Sequence, residues 1–303
     1  MSLLRAVQSY LSVRRAVGFS LDKTERFLTR FASFSKAKGY SYVDSEIAIE
    51  WARRSPSRFQ RARSLGEVIR FARYMRAEDP RHQTPPPVFG REKPPRPTPY
   101  ILSDAQIRQI IRLAKQTGRN TLRRETYSTL FALLSCTGMR LSEALGLRYG
   151  DITRDGLVIR CTKFRKSRLL PLHPTAWDGL DRYLKQRRSF APQSDYVFVS
   201  LAGKPLLRGD VDAAFRKLVV QLEFPRGRGQ CRPTPHSLRH TFAVRALRTC
   251  SDDRSHITQH MLMLSTYLGH SKVYHTYWYL EAVPELMQRI ARRCESHFAG
   301  GSR

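Results

Sequence analysis

The sequence predicts a mainly α-helical protein of two domains with one small β-sheet, an α+β fold. Three observations lead there. Apolar residues recur at helical spacing through most of both halves, a short stretch near residue 156 switches to strand-like runs, and a proline-rich segment separates the halves. At 303 residues the chain also exceeds what a single core usually organises.

In the first half, Leu3, Leu4, Val7, Tyr10 and Leu11 repeat at helical spacing, with Gly18 as a stop. Further helical patterns run through LDKTERFLTRFASFSKAK up to Gly39, through DSEIAIEWARR, and through SRFQRARSLGEVIRFARYMRAE before Pro80. The expectation is an all-helical domain of about four helices over 1–84. Its polar faces are rich in arginine, including Arg53, Arg54, Arg58, Arg61, Arg63, Arg70 and Arg73, which reads either as a solvated face or as a surface for a polyanion. The segment TPPPVFGREKPPRPTP then holds seven prolines in sixteen residues with four charges, a composition that favours an extended connector, placed at 85–99.

The second domain is expected over 100–296, with a tail at 297–303. Ser103 followed by Gln106 is a capping-box signature opening DAQIRQIIRLAKQ. A buried helix covers 127–135, a turn falls at Thr137-Gly138, and a short helix starts at Arg140. GLVIRCTK and SRLLPL flank a basic turn, so a hairpin or three-stranded sheet is expected. Helices then return in PTAWDGLDRYLKQRR, RGDVDAAFRKLVVQL, HSLRHTFAVRALRT, ITQHMLMLSTYLG and VPELMQRIARRC.

Charge points to a partner. Lys and Arg number 54 against 25 Asp and Glu, a net +29. Residues 1–92 hold 18 basic and 9 acidic side chains and the remainder 36 and 16, so both domains suit the same polyanion. Five cysteines form no C-x-x-C pair, which disfavours a disulfide framework or a zinc site. No signal peptide and no run of about 18 apolar residues is present, so an intracellular protein with no membrane span is expected.

Four local patterns could carry chemistry. In HSLRH, His236 and Arg239 lie three apart on one helix face and could address one anion. In TGMRLSEALGLR, Arg140 follows a glycine turn at a helix start, where a guanidinium aided by helix N–H groups can grip a phosphate; the alternative is a surface salt bridge with Glu143. The basic turn carries Lys163, Lys166 and Arg168. Finally, LGHSKVYHTYWYLEAVPEL places Tyr279 nine residues after His270 in an aromatic-rich segment that could equally be packing. Tyr277 lies two residues before Tyr279, a separation that puts only one of them toward a given partner on a helix.

In this order the four patterns resemble the catalytic domain of the tyrosine recombinase, or phage integrase, family, and are especially similar to integrases of mobile elements. The resemblance covers nearly all of 100–296, and the N-terminal helices look like that family's core-binding, DNA-clamping domain. It implies a site of Arg140, Lys163, His236, Arg239 and His270 with Tyr279 as nucleophile, supported by Glu143 and His240; Lys166 competes with Lys163 for the hairpin position. The implied activity is site-specific DNA cleavage and rejoining through a 3′-phosphotyrosine, without metal, ATP or other cofactor. His236 is then the candidate acceptor of the tyrosine proton and Lys163 the acid for the leaving oxygen. The implied partner is double-stranded DNA, bound by a homotetramer on paired sites, with accessory recombinases possible; the implied location is the bacterial cytoplasm, at the nucleoid. Arg53, Arg54, Arg58, Arg61, Lys166 and Arg168 are the expected DNA contacts. Type IB topoisomerases and telomere resolvases share this chemistry, and a non-catalytic DNA-binding regulator could share the fold.

Overall fold

The structure is a computed structural model that describes residues 2–19, 21–90, 98–160, 167–190, 193–225, 231–249, 254–270 and 273–281. The chain forms two compact units, Met1–Arg96 and Pro97–Arg303.

The N-terminal unit consists of α1 (Leu3–Ala16), α2 (Asp22–Ala37), α3 (Ser45–Arg53) and α4 (Arg58–Glu78). Short polar caps start three of them: Ser2, Asp44 and Ser57 each accept from a backbone N–H of the first turn. The apolar stripe read from the sequence is the core except at Leu4, which faces solvent at 41% exposure. Leu3, Val7, Tyr10 and Leu11 pack with Leu28, Phe31, Val68 and Phe71, and the Tyr10 ring meets Phe71 edge-on at 5.4 Å. Buried His82 accepts from the Val43 N–H through Nδ1 at 3.1 Å, tying the exit of α4 to the approach to α3.

The second unit begins with α5 (Asp104–Gln116), where the Ser103–Gln106 capping box is present in full. It continues through α6 (Thr121–Thr137), α7 (Leu141–Leu145), a 3-10 turn (Tyr149–Asp151) and the antiparallel sheet β1 (Ile152–Thr153), β2 (Gly156–Ile159), β3 (Arg168–Leu170), in order β1-β2-β3. The helices α8 (Pro174–Phe190), α9 (Arg208–Gln221), α10 (Pro235–Arg248), α11 (Arg254–Leu268) and α12 (Tyr274–Glu281) complete it. Buried on several sides, α6 is the central helix, packed by α5, α8 and α10. It is longer than its apolar run predicts, because Asn120 caps it at the first turn, where Leu122 is already buried, and Gly138 closes it after Thr137. A second cluster, Ala243, Val244, Leu247, Met261, Leu264, Leu268 and Tyr279, holds α11 and α12 against α10. Lys163, Lys166, residues 91–97 of the proline-rich segment, the expected helix VPELMQRIARRC and the tail lie outside the described residues. Among the described residues no helix is long and apolar enough to cross a membrane.

Candidate active site

The site is assembled at the end of α6. Gly138 caps that helix in the left-handed region, φ 60°, and a Cβ there would fall 2.3 Å from the Phe242 ring, so only glycine allows α10 to approach. The approach brings in Arg239, which is 2% exposed and donates to two carbonyls, Gly138 and Leu268, at 2.7 Å each. One guanidinium thereby joins the ends of α6 and α11. A cation buried this deeply is tolerated because fixed carbonyl dipoles replace its water.

Glu143, on α7, organises two more arginines. Its carboxylate accepts from Arg140 at 2.7 Å and from Arg168, on β3, at 2.7 and 3.1 Å. Arg140 also donates to the Gly269 carbonyl at 2.6 Å, and Arg168 to the Tyr267 carbonyl at 2.7 Å. Gly269 has φ 65°, and a Cβ there would come 2.8 Å from Arg168 and 3.2 Å from Arg140, so the turn after α11 is glycine because two guanidinium groups lie on it. The carbonyls of residues 267, 268 and 269 thus hold Arg168, Arg239 and Arg140 in turn.

His270 follows this turn. Arg239 can only donate, so its 3.1 Å contact makes His270 Nε2 an acceptor and leaves the proton on Nδ1, which donates to buried Thr276 at 2.8 Å. Tyr279 is 2% exposed, against 49% for Tyr277, and its hydroxyl lies 3.1 Å from His240 Nδ1. The Tyr279 ring stacks with His270 at 6.2 Å, while His236 meets the His240 ring edge-on at 4.3 Å.

The electrostatics follow from crowded positive charge. Burial lowers Arg239 to about 10, with Arg140 adding to the effect. His270 is lowered to about 3, His240 to about 3 and His236 to about 4, first by desolvation and then by nearby positive charge, from Arg239 in all three, with Arg140 at His270 and His236 and the neighbouring histidines at His240. Burial alone would raise the Glu143 carboxyl, but hydrogen bonds and charge from Arg168 and Arg140 outweigh it and hold it ionised. Beside this cluster, a groove of about 460 Å³ is lined by Arg140, Arg208, Arg216, Arg232 and His236.

Five residues read from the sequence, Arg140, Glu143, Arg239, His270 and Tyr279, converge here, with His240 in direct contact with Tyr279. Three expectations change. Arg140 does pair with Glu143, but its backbone N–H also donates to that carboxylate, at 2.9 Å, so this amide is not presented to a ligand. Arg168, expected among DNA contacts, has a side chain only 11% exposed, because Glu143 and the Tyr267 carbonyl bind it inward. The ring nitrogen at the Tyr279 hydroxyl belongs to His240 rather than His236. Among the N-terminal arginines, Arg53 is exposed, Arg54 lies over the Phe34 ring at 5.2 Å, Arg58 donates to the Phe89 carbonyl and Arg61 to the Ser55 carbonyl. Sequence reasoning missed Thr276 and the groove arginines Arg208, Arg216 and Arg232. Only a buried threonine among aromatics hinted at the first, and the others are scattered along the chain.

Comparison with known proteins shows the family to which the chain belongs. The model of the phage integrase family matches residues 101–285. The chain is 40% identical over 303 residues to the Sinorhizobium fredii protein y4rB, named as an integrase/recombinase, covering 96% of each. It is 32% identical to the tyrosine recombinase XerC of Corynebacterium efficiens, over 60% of this chain and 54% of that one. In fold it resembles the Tn1549 transposon integrase in complex with transposon right end DNA, with TM-score 0.65 and 18% identity over 96% of this chain and 100% of that one. The chain belongs to the phage integrase family, and its activity class is that of the tyrosine-type site-specific DNA recombinases.

Proposed function

We propose that this protein cleaves and rejoins double-stranded DNA at specific sites with Tyr279 as nucleophile, holding the broken strand as a 3′-phosphotyrosine. The observation that carries the reading is the convergence of Arg140, Arg239, His270 and Tyr279, drawn from α10, α12 and two separate turns, around carbonyls 268 and 269. A phosphodiester is anionic, and in-line attack builds more charge on its non-bridging oxygens. Guanidinium groups already fixed by carbonyls can absorb that charge without reorganising, which is the largest contribution available to such a site. Each guanidinium has five N–H donors, more than the bonds described use, so phosphate oxygens can be received alongside those bonds.

Attack forms the phosphorus–oxygen bond to Tyr279 and breaks the bond to the 5′ oxygen, which needs a proton. A lysine of the basic turn, Lys163 in preference to Lys166, is the proposed acid. The ester conserves the energy of the broken bond, so a 5′ hydroxyl from another strand reverses the step and completes exchange. The groove of Arg208, Arg216 and Arg232 gives the flanking backbone a cationic path, and the N-terminal unit adds phosphate contacts through Arg53, Arg54 and Arg58. Exchange between two duplexes calls for four protomers on paired sites, and the likeness to a lambda integrase tetramer bound to a Holliday junction, TM-score 0.60, fits that assembly. We place the protein with its DNA, in the cytoplasm.

The test is a nicked suicide duplex carrying the ends of the element that encodes the chain. Wild-type protein is expected to become covalently attached, and Tyr279→Phe to bind normally and never attach. Attachment by Tyr279→Phe would overturn the assignment and direct attention to Tyr277. Supercoiled plasmid without the site should stay supercoiled; its rapid relaxation would mark a topoisomerase instead.

A further inference from the structure

Three histidines surround the nucleophile, and they are placed for different work. His270 stacks on the Tyr279 ring while its two nitrogens are engaged by Arg239 and Thr276. His236 lines the arginine groove and meets the His240 ring edge-on at 4.3 Å. His240 alone among them brings a ring nitrogen to the hydroxyl, at 3.1 Å, and its ring is wedged between His236, Trp278 and Tyr279 with centroids 4.3, 5.0 and 5.4 Å away.

We propose that His240 is a catalytic residue of the cleavage step, taking the Tyr279 proton at Nδ1 as the phenolic oxygen attacks phosphorus. The proposal rests on Tyr279 being the nucleophile. In the step, the phenolic O–H breaks, its proton passes to His240, the oxygen bonds to phosphorus, the bond to the 5′ oxygen breaks, and that oxygen takes a proton from the hairpin lysine. His240 ends as imidazolium and the lysine as amine; rejoining reverses both transfers. Among the described residues, the charged and titratable groups facing His240 are His236 and Arg239 from α10, His270 after α11, and Tyr279 from α12. None is an anion in the free protein, so His240 is neutral there and able to accept. An arriving phosphodiester brings the negative charge that favours imidazolium once the proton moves.

The experiment is single-turnover cleavage of the suicide duplex by the full chain between pH 6 and 9.5, with DNA binding and far-ultraviolet circular dichroism measured in parallel. His240→Ala and His240→Asn are both expected to lose about 100-fold or more at pH 7, a typical general-base contribution. Binding should stay within about twofold. The loss should shrink as pH approaches the phenol's ordinary value of about 10, where solvent supplies the phenolate. His240→Asn presents an amide oxygen near the Nδ1 position, which can accept a hydrogen bond but cannot carry the proton. A wild-type rate in His240→Asn, or a loss that is the same at every pH, overturns proton acceptance. Faster cleavage by His240→Ala also overturns it, and would make the contact a restraint on Tyr279. So does finding the pH-dependent loss in His236→Asn but not in the His240 variants. Covalent attachment by Tyr279→Phe removes the premise itself, whatever the His240 variants do, and so separates the two failures.

Discussion

Around the junction of α3 and α4 in the N-terminal unit, Arg53, Arg54 and Arg58 stand at an exposed surface, steadied by little more than an aromatic face or one carbonyl. In the second unit Arg239 is 2% exposed and held by two carbonyls, and Arg168 is 11% exposed and held by a carboxylate and a carbonyl. The same residue type serves two purposes. Exposed guanidinium groups are screened by water and ions, so each contributes modest affinity that adds along a backbone. A buried one acts in low dielectric, where its field on a developing phosphorane is much stronger, but only if the fold supplies partners that offset its lost hydration.

The sharpest way to break that comparison is Arg239→Ala. The variant removes a charge and also leaves the Gly138 and Leu268 carbonyls without their donor, loosening the turn on which Arg140 rests. Covalent capture of the suicide duplex is expected to fall on the order of 1,000-fold, the scale of losing a preorganised donor. Arg239→Lys should recover little, because an ammonium cannot span two carbonyls and a phosphate as a planar fork does. Capture within tenfold of wild type by either variant would mean that burial of this cation is structural only.

Next in size is Glu143→Ala. Its carboxylate is shared by two arginines, so removing it leaves both cations without their anion in a mostly buried place. A loss of about 3 kcal/mol in urea denaturation is expected, at the lower end for a broken buried pair. Glu143→Gln, which keeps acceptor capacity but not charge, should fall between. An equal loss from removing the exposed pair partner Glu25, which meets Arg15 at 2.7 Å, would erase the distinction between the units.

How much of this was legible in the sequence follows the same division. Most of the described helices were readable because they bury a stripe, as Leu3, Val7, Tyr10 and Leu11 do, and the period of the stripe names the element, whereas α12, eight aromatic-rich residues, is too short for its period to show. The positions of Arg140, Arg239, His270 and Tyr279 were readable from ordered spacing. Which histidine meets the tyrosine was not. His236 and His240 sit one turn apart on α10, and the choice between them is made by where α12 packs, a tertiary fact set by Leu264, Leu268 and Val244. The inward pairing of Arg168 was hidden for a related reason, since nothing local in a basic turn shows that Glu143, 25 residues earlier, draws it inward.

Acid should separate the units as well. His236, His240 and His270 are lowered to about 4, 3 and 3, well below the ordinary histidine value of about 6.5. Between those values the unfolded chain binds protons that the folded site does not, so the stability they contribute is full above about pH 6.5 and drains away as pH falls toward 3–4. The N-terminal unit has one histidine, His82, which is also lowered by burial, against three in the site. Hydrogen exchange read by mass spectrometry at pH 7 and 5, corrected for intrinsic rates, should show protection of α10 and α12 falling more than that of α2 and α4. Equal changes would show that the three histidines are not held neutral by the site.

The smallest effect sought lies in the exposed arginines. Arg53→Ala and Arg54→Ala should each weaken DNA binding a few-fold and by similar factors on any sequence. They should also reduce the slope of log affinity against log salt by about 0.9 for each phosphate that is no longer neutralised. Cleavage of DNA already bound should be unchanged, because neither side chain belongs to the unit that holds Tyr279. Arg61→Ala provides the contrast within the same unit. Its guanidinium donates to the Ser55 carbonyl at 2.8 Å and is partly buried, so its loss should appear as reduced thermal stability of the α3–α4 junction, with no change in the salt slope. If Arg61→Ala instead lowers the slope as Arg53→Ala does, then fixing an arginine by one carbonyl does not withdraw it from the DNA-facing surface. The division between arginines that bind and arginines that are held would then apply only where burial is nearly complete.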